Sequence, residues 1–78
     1  MNWHKVLQEI YSILESNGHD SIAKQIRQKQ REGATGGEIL DIVLTELLHL
    51  KKDRVDVYLR IKTQVDSMIE YAKSIGYL

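Results

Sequence analysis

Residues 35–50, TGGEILDIVLTELLHL, are the most apolar stretch of the chain and carry its strongest helix-start signal. The Thr35 hydroxyl is placed to accept a hydrogen bond from the backbone N–H of Glu38, and the Glu38 side chain can reach back to the N–H of Thr35; this is the capping-box pattern. Glu38 and Asp41 also put negative charge in the first turns, where the helix dipole favours it. The stretch therefore predicts a central helix over about residues 35–51.

The side chains of this helix, placed at about 100° per residue, divide into a broad apolar face and a narrower polar face. A helix that is apolar on more than one side is expected to be the central member of a bundle, so we expect the first and last helices to pack on it. The apolar face consists of Ile39, Leu40, Val43, Leu44, Leu47 and Leu50, with Leu48 at its edge.

Ile42 breaks this division because it lies in the middle of the polar face. A single exposed apolar residue is common on protein surfaces and needs no special explanation. The alternative is a contact anchor, since binding surfaces often combine a buried apolar residue with a polar rim. The second interpretation predicts a partner-binding surface made of Glu38, Asp41, Ile42, Thr45, Glu46 and His49.

Two further helices are predicted before the central one. Asn2 can cap a first helix that runs to about Ser16, and the pair Asn17-Gly18 is a stop signal. Asp20 or Ser21 can cap a second helix that ends near residues 31–32. Its apolar face is thin, so we expect it to be the least firmly held helix. That thin face consists of Ile22, Ala23 and Ile26.

The last helix is predicted from about Arg54 to Ser74, with Asp53 as its cap and Gly76 as its stop. Its apolar residues repeat at alternating spacings of three and four, which is typical of a seam along another helix. Tyr77 and Leu78 are expected to fold back on the core. The seam consists of Tyr58, Ile61, Val65, Met68, Ala72 and Ile75.

The length and composition of the chain limit the number of domains and the kinds of site that it can contain. The 78 residues predict a single domain, residues 1–78, and the helices predict an all-α bundle of three to four helices. The chain has no Cys, so disulfides and thiolate metal sites are excluded. No secretory leader and no stretch long enough to span a bilayer is evident, so a cytoplasmic protein is expected.

No catalytic constellation is evident, and we expect no enzyme activity, no cofactor and no metal. His4, His19 and His49 lie in different elements, without a second ligand at metal-binding spacing. The glycines around Thr35 lack the Lys-Ser/Thr pair of a phosphate-binding loop. A core of this size is not expected to enclose a pocket that perturbs a carboxylate for acid–base work.

A nucleic-acid-binding surface is the main alternative. Eleven basic and eleven acidic residues cancel overall, whereas dedicated nucleic-acid binders are usually net basic. The second helix nevertheless has a basic face of the residue types that contact phosphates and base edges. The candidate nucleic-acid-binding residues are Lys24, Arg27, Gln28 and Arg31.

The segment GATGGEIL, residues 33–40, followed by an amphipathic helix, resembles a signature in small bacterial proteins, some of them immunity-like. The whole pattern of short amphipathic helices with segmental charge resembles the small helical immunity proteins of contact-dependent inhibition and bacteriocin systems. The resemblance implies a non-catalytic inhibitor that binds one cognate toxin and blocks it by occlusion. Nuclease toxins often present basic surfaces, which the acidic face around Ile42 would complement.

Three hypotheses follow from the sequence. The first is an immunity or antitoxin-type inhibitor that binds a protein toxin through the face around Ile42. The second is a small DNA- or RNA-binding regulator that uses the basic second helix. The third is a homo-oligomeric adaptor that associates through the seam of the last helix. The chain itself is expected to be a monomer or a homodimer.

Overall fold

The computed structural model describes residues 2–77 and has four helices joined by short connections. The predicted all-α bundle is thereby confirmed, while Leu78 lies outside the described residues. Within residues 2–77, no helix combines the length and apolar character needed to cross a membrane. The helices are α1 (Trp3–Ser16), α2 (Asp20–Gln30), α3 (Gly36–Asp53) and α4 (Val55–Ser74).

The start of α3 forms as the capping pattern predicts, with one difference. The Thr35 hydroxyl accepts a hydrogen bond of 3.2 Å from the backbone N–H of Glu38. The Glu38 carboxylate accepts its return bond, also 3.2 Å, from the N–H of Ala34 rather than from that of Thr35. Reciprocal capping therefore extends one residue further upstream and holds the loop that precedes α3.

The ends of α1 are also those predicted. The Asn2 side chain accepts hydrogen bonds from the backbone N–H groups of His4 and Lys5, at 3.1 and 3.3 Å. The helix ends at Ser16, and Gly18 has a φ of +79°, which suits glycine because it has no Cβ. The next helix differs from the prediction, since its cap position is His19, without a side-chain cap bond.

A single residue separates α3 from α4. Arg54 is both the last cap position of α3 and the first cap position of α4, and its backbone N–H still bonds to the Leu50 carbonyl at 2.9 Å. The prediction that Asp53 caps the last helix is wrong, because Asp53 is the final residue of α3. At Arg54 the backbone leaves the helical conformation, with φ −140° and ψ 69°, and the chain changes direction there.

The four helices form a ring in which each helix packs against two neighbours. The contacting pairs are α1 with α2, α2 with α3, α3 with α4, and α4 with α1. Across residues 3–74, α1 and α3 lie diagonally opposite without close backbone contact. α4 therefore packs beside α3 as expected, whereas the second backbone neighbour of α3 is α2 rather than α1, because short connections make consecutive helices neighbours.

The seam of α4 faces the interior of this ring. Its first five members, Tyr58 to Ala72, are at most 3% exposed, whereas Ile75 is 45% exposed because α4 ends at Ser74. The adaptor hypothesis thus loses the surface on which it was based. The core consists of Trp3, Leu7, Ile10, Tyr11, Leu14, Ala23, Ile26, Leu40, Val43, Leu44, Leu47, Val57, Tyr58, Ile61, Val65, Met68 and Ala72.

Candidate partner-binding surface

Ile42 lies on the outer side of α3. Its side chain is partly exposed and belongs neither to the buried core cluster nor to the apolar residues that pack against that cluster. Its neighbours in sequence on the apolar side, Leu40 and Val43, are at most 1% exposed. Ile42 is therefore an apolar side chain that the fold places at the surface rather than in the core.

The polar residues predicted around Ile42 are also at the surface. Glu38, Asp41, Thr45 and His49 are exposed, and Glu46 is partly exposed. The Thr45 hydroxyl donates a hydrogen bond of 2.9 Å to the Asp41 carbonyl. The six predicted residues thus share one surface along α3, which we call the α3 surface.

The carboxylates of the α3 surface form no ion pair within the described chain. Within residues 2–77, no basic group lies within 4.0 Å of the carboxylates of Glu38, Asp41 or Glu46. Three carboxylates without an ion-pair partner can attract a cationic surface, and the apolar side chain of Ile42 can supply a contact among them. Binding is the chemistry that this arrangement supports.

A groove between α2 and α3 continues the α3 surface toward the end of α3. It has a volume of about 310 Å³. Ile42, Glu46, His49 and Asp53 follow one another at spacings of four and three, so they lie in one stripe along the helix. The groove is lined by Ile22, Gln25, Ile26, Glu46, His49, Leu50, Asp53 and Arg54.

This groove was not predicted from the sequence. The spacing from Ile42 to Asp53 was visible in the sequence and could have extended the predicted surface by one turn. The opposite wall, formed by Ile22 and Ile26, comes from α2. Its position beside α3 depends on how the helices pack, which no local pattern of residues specifies.

The basic face of α2 is less free than the sequence suggests. Lys24, Gln28 and Arg31 are exposed, but Arg27 is held against α1. Its Nη2 atom donates to Glu15 Oε1 at 2.9 Å, and its guanidinium lies 4.5 Å from the centre of the Tyr11 ring. The central cation of the predicted nucleic-acid surface therefore connects α2 to α1.

Tyr11 completes this connection between α1 and α2. Its ring is 1% exposed, and its hydroxyl donates a hydrogen bond of 2.8 Å to Gln30 Oε1. Burial raises the pKa of Tyr11 to about 12, while the nearby charge of Arg27 acts in the opposite direction. Tyr11 and Arg27 also line a second groove, of about 370 Å³, which is bounded by Gly33 and Ile39.

Ionisable side chains other than tyrosines stay out of the interior. Within residues 2–77, no carboxylate, imidazole, ammonium or guanidinium group belongs to a buried residue. The same part of the chain contains no cluster of three or more His, Asp or Glu residues arranged to hold a metal ion. His4 stacks on the ring of Trp3, with 3.8 Å between the ring centres.

Comparison with known proteins gives no relative: no protein-family model matches the chain, and neither the curated proteins nor the solved structures contain a significant match.

Proposed function

We propose that this protein is a non-catalytic protein-binding module that acts as an immunity or antitoxin-type inhibitor. It would bind one cognate protein toxin through the α3 surface and neutralise that toxin by occlusion. The observation that carries the proposal is Ile42, an apolar side chain outside the core, beside three carboxylates that have no ion-pair partner in residues 2–77.

The charge of the α3 surface indicates the chemistry of the partner. Because Glu38, Asp41 and Glu46 form no ion pair within residues 2–77, a basic surface on the toxin would be attracted to them before contact. Ile42 would then supply the apolar contact once water is excluded. A toxin that acts on nucleic acid needs such a basic surface for its own substrate, so occupation of that surface would also block its activity.

A nucleic-acid-binding regulator is the second candidate. Lys24, Gln28 and Arg31 are exposed on one side of α2 and are available to phosphates. Arg27 favours the first candidate over this one, because its guanidinium is engaged by Glu15 and Tyr11. A salt-sensitive gel shift that is lost when Lys24 and Arg31 are changed to Ala would favour the regulator.

The proposal is tested by capture of the partner and by its toxicity. Tagged protein is used to isolate partners from lysate of the source cell, with and without nuclease treatment, and the bound proteins are identified by mass spectrometry. The proposal expects one stoichiometric protein that survives nuclease treatment, arrests growth when expressed alone, and is harmless when co-expressed with this chain. Material that is bound only through nucleic acid would contradict the proposal.

A further inference from the structure

The groove between α2 and α3 has apolar walls and an acidic rim. Ile22 from α2 and Leu50 from α3 are both partly buried and pack against the core, and Ile26 beneath them is 2% exposed. Glu46 and Asp53 stand on the α3 side of the same groove. An occupant that matches both features has an apolar stem and a cationic end.

The two carboxylates of the groove have no ion-pair partner within residues 2–77. Arg54 also lines the groove, but its guanidinium is directed to Asp56, with an N–O distance of 3.4 Å. The charge of Arg54 is thus shared with Asp56, which does not line the groove. A cation from another molecule would therefore meet two unpaired carboxylates along its path.

We propose that this groove receives an arginine side chain of the bound protein, an inference that rests on the proposed function. Ile22 and Leu50 flank the aliphatic stem, and Glu46 accepts hydrogen bonds from the guanidinium, while Asp53, about 10 Å further along α3, adds to the negative potential of the groove. Arginine fits better than lysine, because its planar guanidinium presents several N–H donors to carboxylates and is more weakly hydrated. Arginine is also among the residues that dominate binding energy at protein interfaces.

The position of the groove fits this role. Glu46 is shared by the groove and the α3 surface, one helical turn from Ile42. A partner seated on Ile42 therefore has the groove directly beside its contact. The arginine pocket and the apolar anchor become two adjacent parts of one interface, with the anchor supplying affinity and the pocket selecting a partner of the correct charge.

The pocket is tested with N-acetyl-arginine amide as the probe and N-acetyl-citrulline amide as its uncharged analogue of similar shape. Methyl resonances of Ile22 and Leu50 are followed by NMR as each probe is added to the full chain. We expect saturable shifts with the arginine probe and much weaker shifts with the citrulline probe. The Glu46→Gln variant should weaken arginine binding by about twofold to fivefold, as expected for an exposed ion pair.

Glu70→Gln is the matched control, because Glu70 is an exposed glutamate of α4 away from the groove. Unchanged arginine binding in this control supports the pocket. Absence of saturable shifts at Ile22 and Leu50, equal shifts with citrulline, or an equal loss in the control would overturn it. A toxin whose capture needs Ile42 but not Glu46 or Asp53 would overturn the pocket alone, while arginine binding without any toxin partner would overturn the proposed function alone.

Discussion

The hydroxyl of Tyr77 lies against Gly37, in the space that a Cβ atom at residue 37 would occupy. The chain after α4 thus returns to the first turn of α3, but Tyr77 does not reach the core as the sequence predicted. Gly76, with a φ of +84°, makes the turn, and the Tyr77 N–H bonds to the Ala72 carbonyl at 2.8 Å. The contact is peripheral, because the Tyr77 side chain remains 49% exposed.

This contact predicts different effects of alanine at two adjacent glycines. A Cβ atom added at Gly36 would meet no neighbouring atom within 4 Å, so Gly36→Ala should raise the free energy of unfolding by about 0.4–1 kcal/mol. Gly37→Ala should raise the free energy of unfolding by less, because the Tyr77 ring must move away from the new methyl group. In a Tyr77→Ala background the two gains should become equal in urea denaturation. A gap that persists in that background would show that Tyr77 is not its cause.

Gly33 should behave in the opposite way. A Cβ at Gly33 would lie 2.9 Å from the backbone nitrogen of Ile39 and 2.7 Å from Ile39 Cγ1. Backbone cannot swing aside as an exposed tyrosine can, so Gly33→Ala should destabilise the fold by roughly 1–3 kcal/mol. Urea denaturation beside Gly36→Ala provides the comparison, and equal stability of the two variants would contradict the close approach.

The cap of α3 should contribute measurably to stability. Thr35→Ala removes the acceptor for the Glu38 N–H and should lower the free energy of unfolding by about 1 kcal/mol. Thr45→Ala is the matched control, since Thr45 is exposed in the same helix and its hydroxyl bonds only to the Asp41 carbonyl. If denaturation shows equal losses of unfolding free energy in both variants, the Thr35 cap contributes no more than an ordinary exposed threonine.

Tyr11 should make stability fall at alkaline pH. Its pKa is about 12 in the fold against an ordinary 10.0, so between these values the unfolded chain releases the proton that the folded chain keeps. The free energy of unfolding therefore decreases as pH rises through that window, and the contribution is fully present below pH 10. Tyr11→Phe should make this decrease smaller. At neutral pH the variant should also lose about 0.5–1.5 kcal/mol of unfolding free energy, because it cannot make the hydrogen bond to Gln30.

The control for this pH profile is Tyr77→Phe, which alters an exposed tyrosine. Some alkaline decrease should remain in the Tyr11→Phe protein, because burial also raises the pKa of Tyr58. Thermal or urea unfolding between pH 9 and 12 measures both slopes. An unchanged slope in Tyr11→Phe would show that the buried hydroxyl does not hold its proton more tightly in the fold.

Local features of the fold were predictable because their causes lie within a few residues. The Asn2 and Thr35 caps and the stop at Gly18 each depend on a short segment of sequence. The caps predicted at Asp53 and at Asp20 or Ser21 were nevertheless wrong, so local signals do not always fix a helix end. Other features depend on packing: the position of α2 beside α3, and the engagement of Arg27 by α1, follow only once the ring of helices is assembled.

The candidate site also combines features that were predictable from one helix with features that depend on the packing of two helices. Helical spacing was sufficient to place Ile42 among polar residues, because Ile42 and those residues belong to the same helix. It could not show whether a neighbouring helix covers Ile42, nor that Ile22 and Leu50 face each other across a groove. Similarly, the spacing of α2 grouped Arg27 with Lys24, but Glu15, which engages Arg27, lies twelve residues earlier in α1.

The most direct test of the proposed α3 surface compares capture by wild type, Ile42→Asp and Leu59→Asp from nuclease-treated lysate of the source cell. Both variants place a carboxylate at an apolar residue outside the core, and Leu59 is 64% exposed on α4. Both should keep the wild-type helical signal, and Leu59→Asp should keep its stability within about 0.5 kcal/mol. Ile42→Asp should lose about 0.4–1 kcal/mol more, because its carboxylate lies four residues from both Glu38 and Glu46. Wild type and Leu59→Asp should capture the same stoichiometric protein, whereas Ile42→Asp should lose it. Equal capture by Ile42→Asp would contradict the claim that Ile42 anchors the partner.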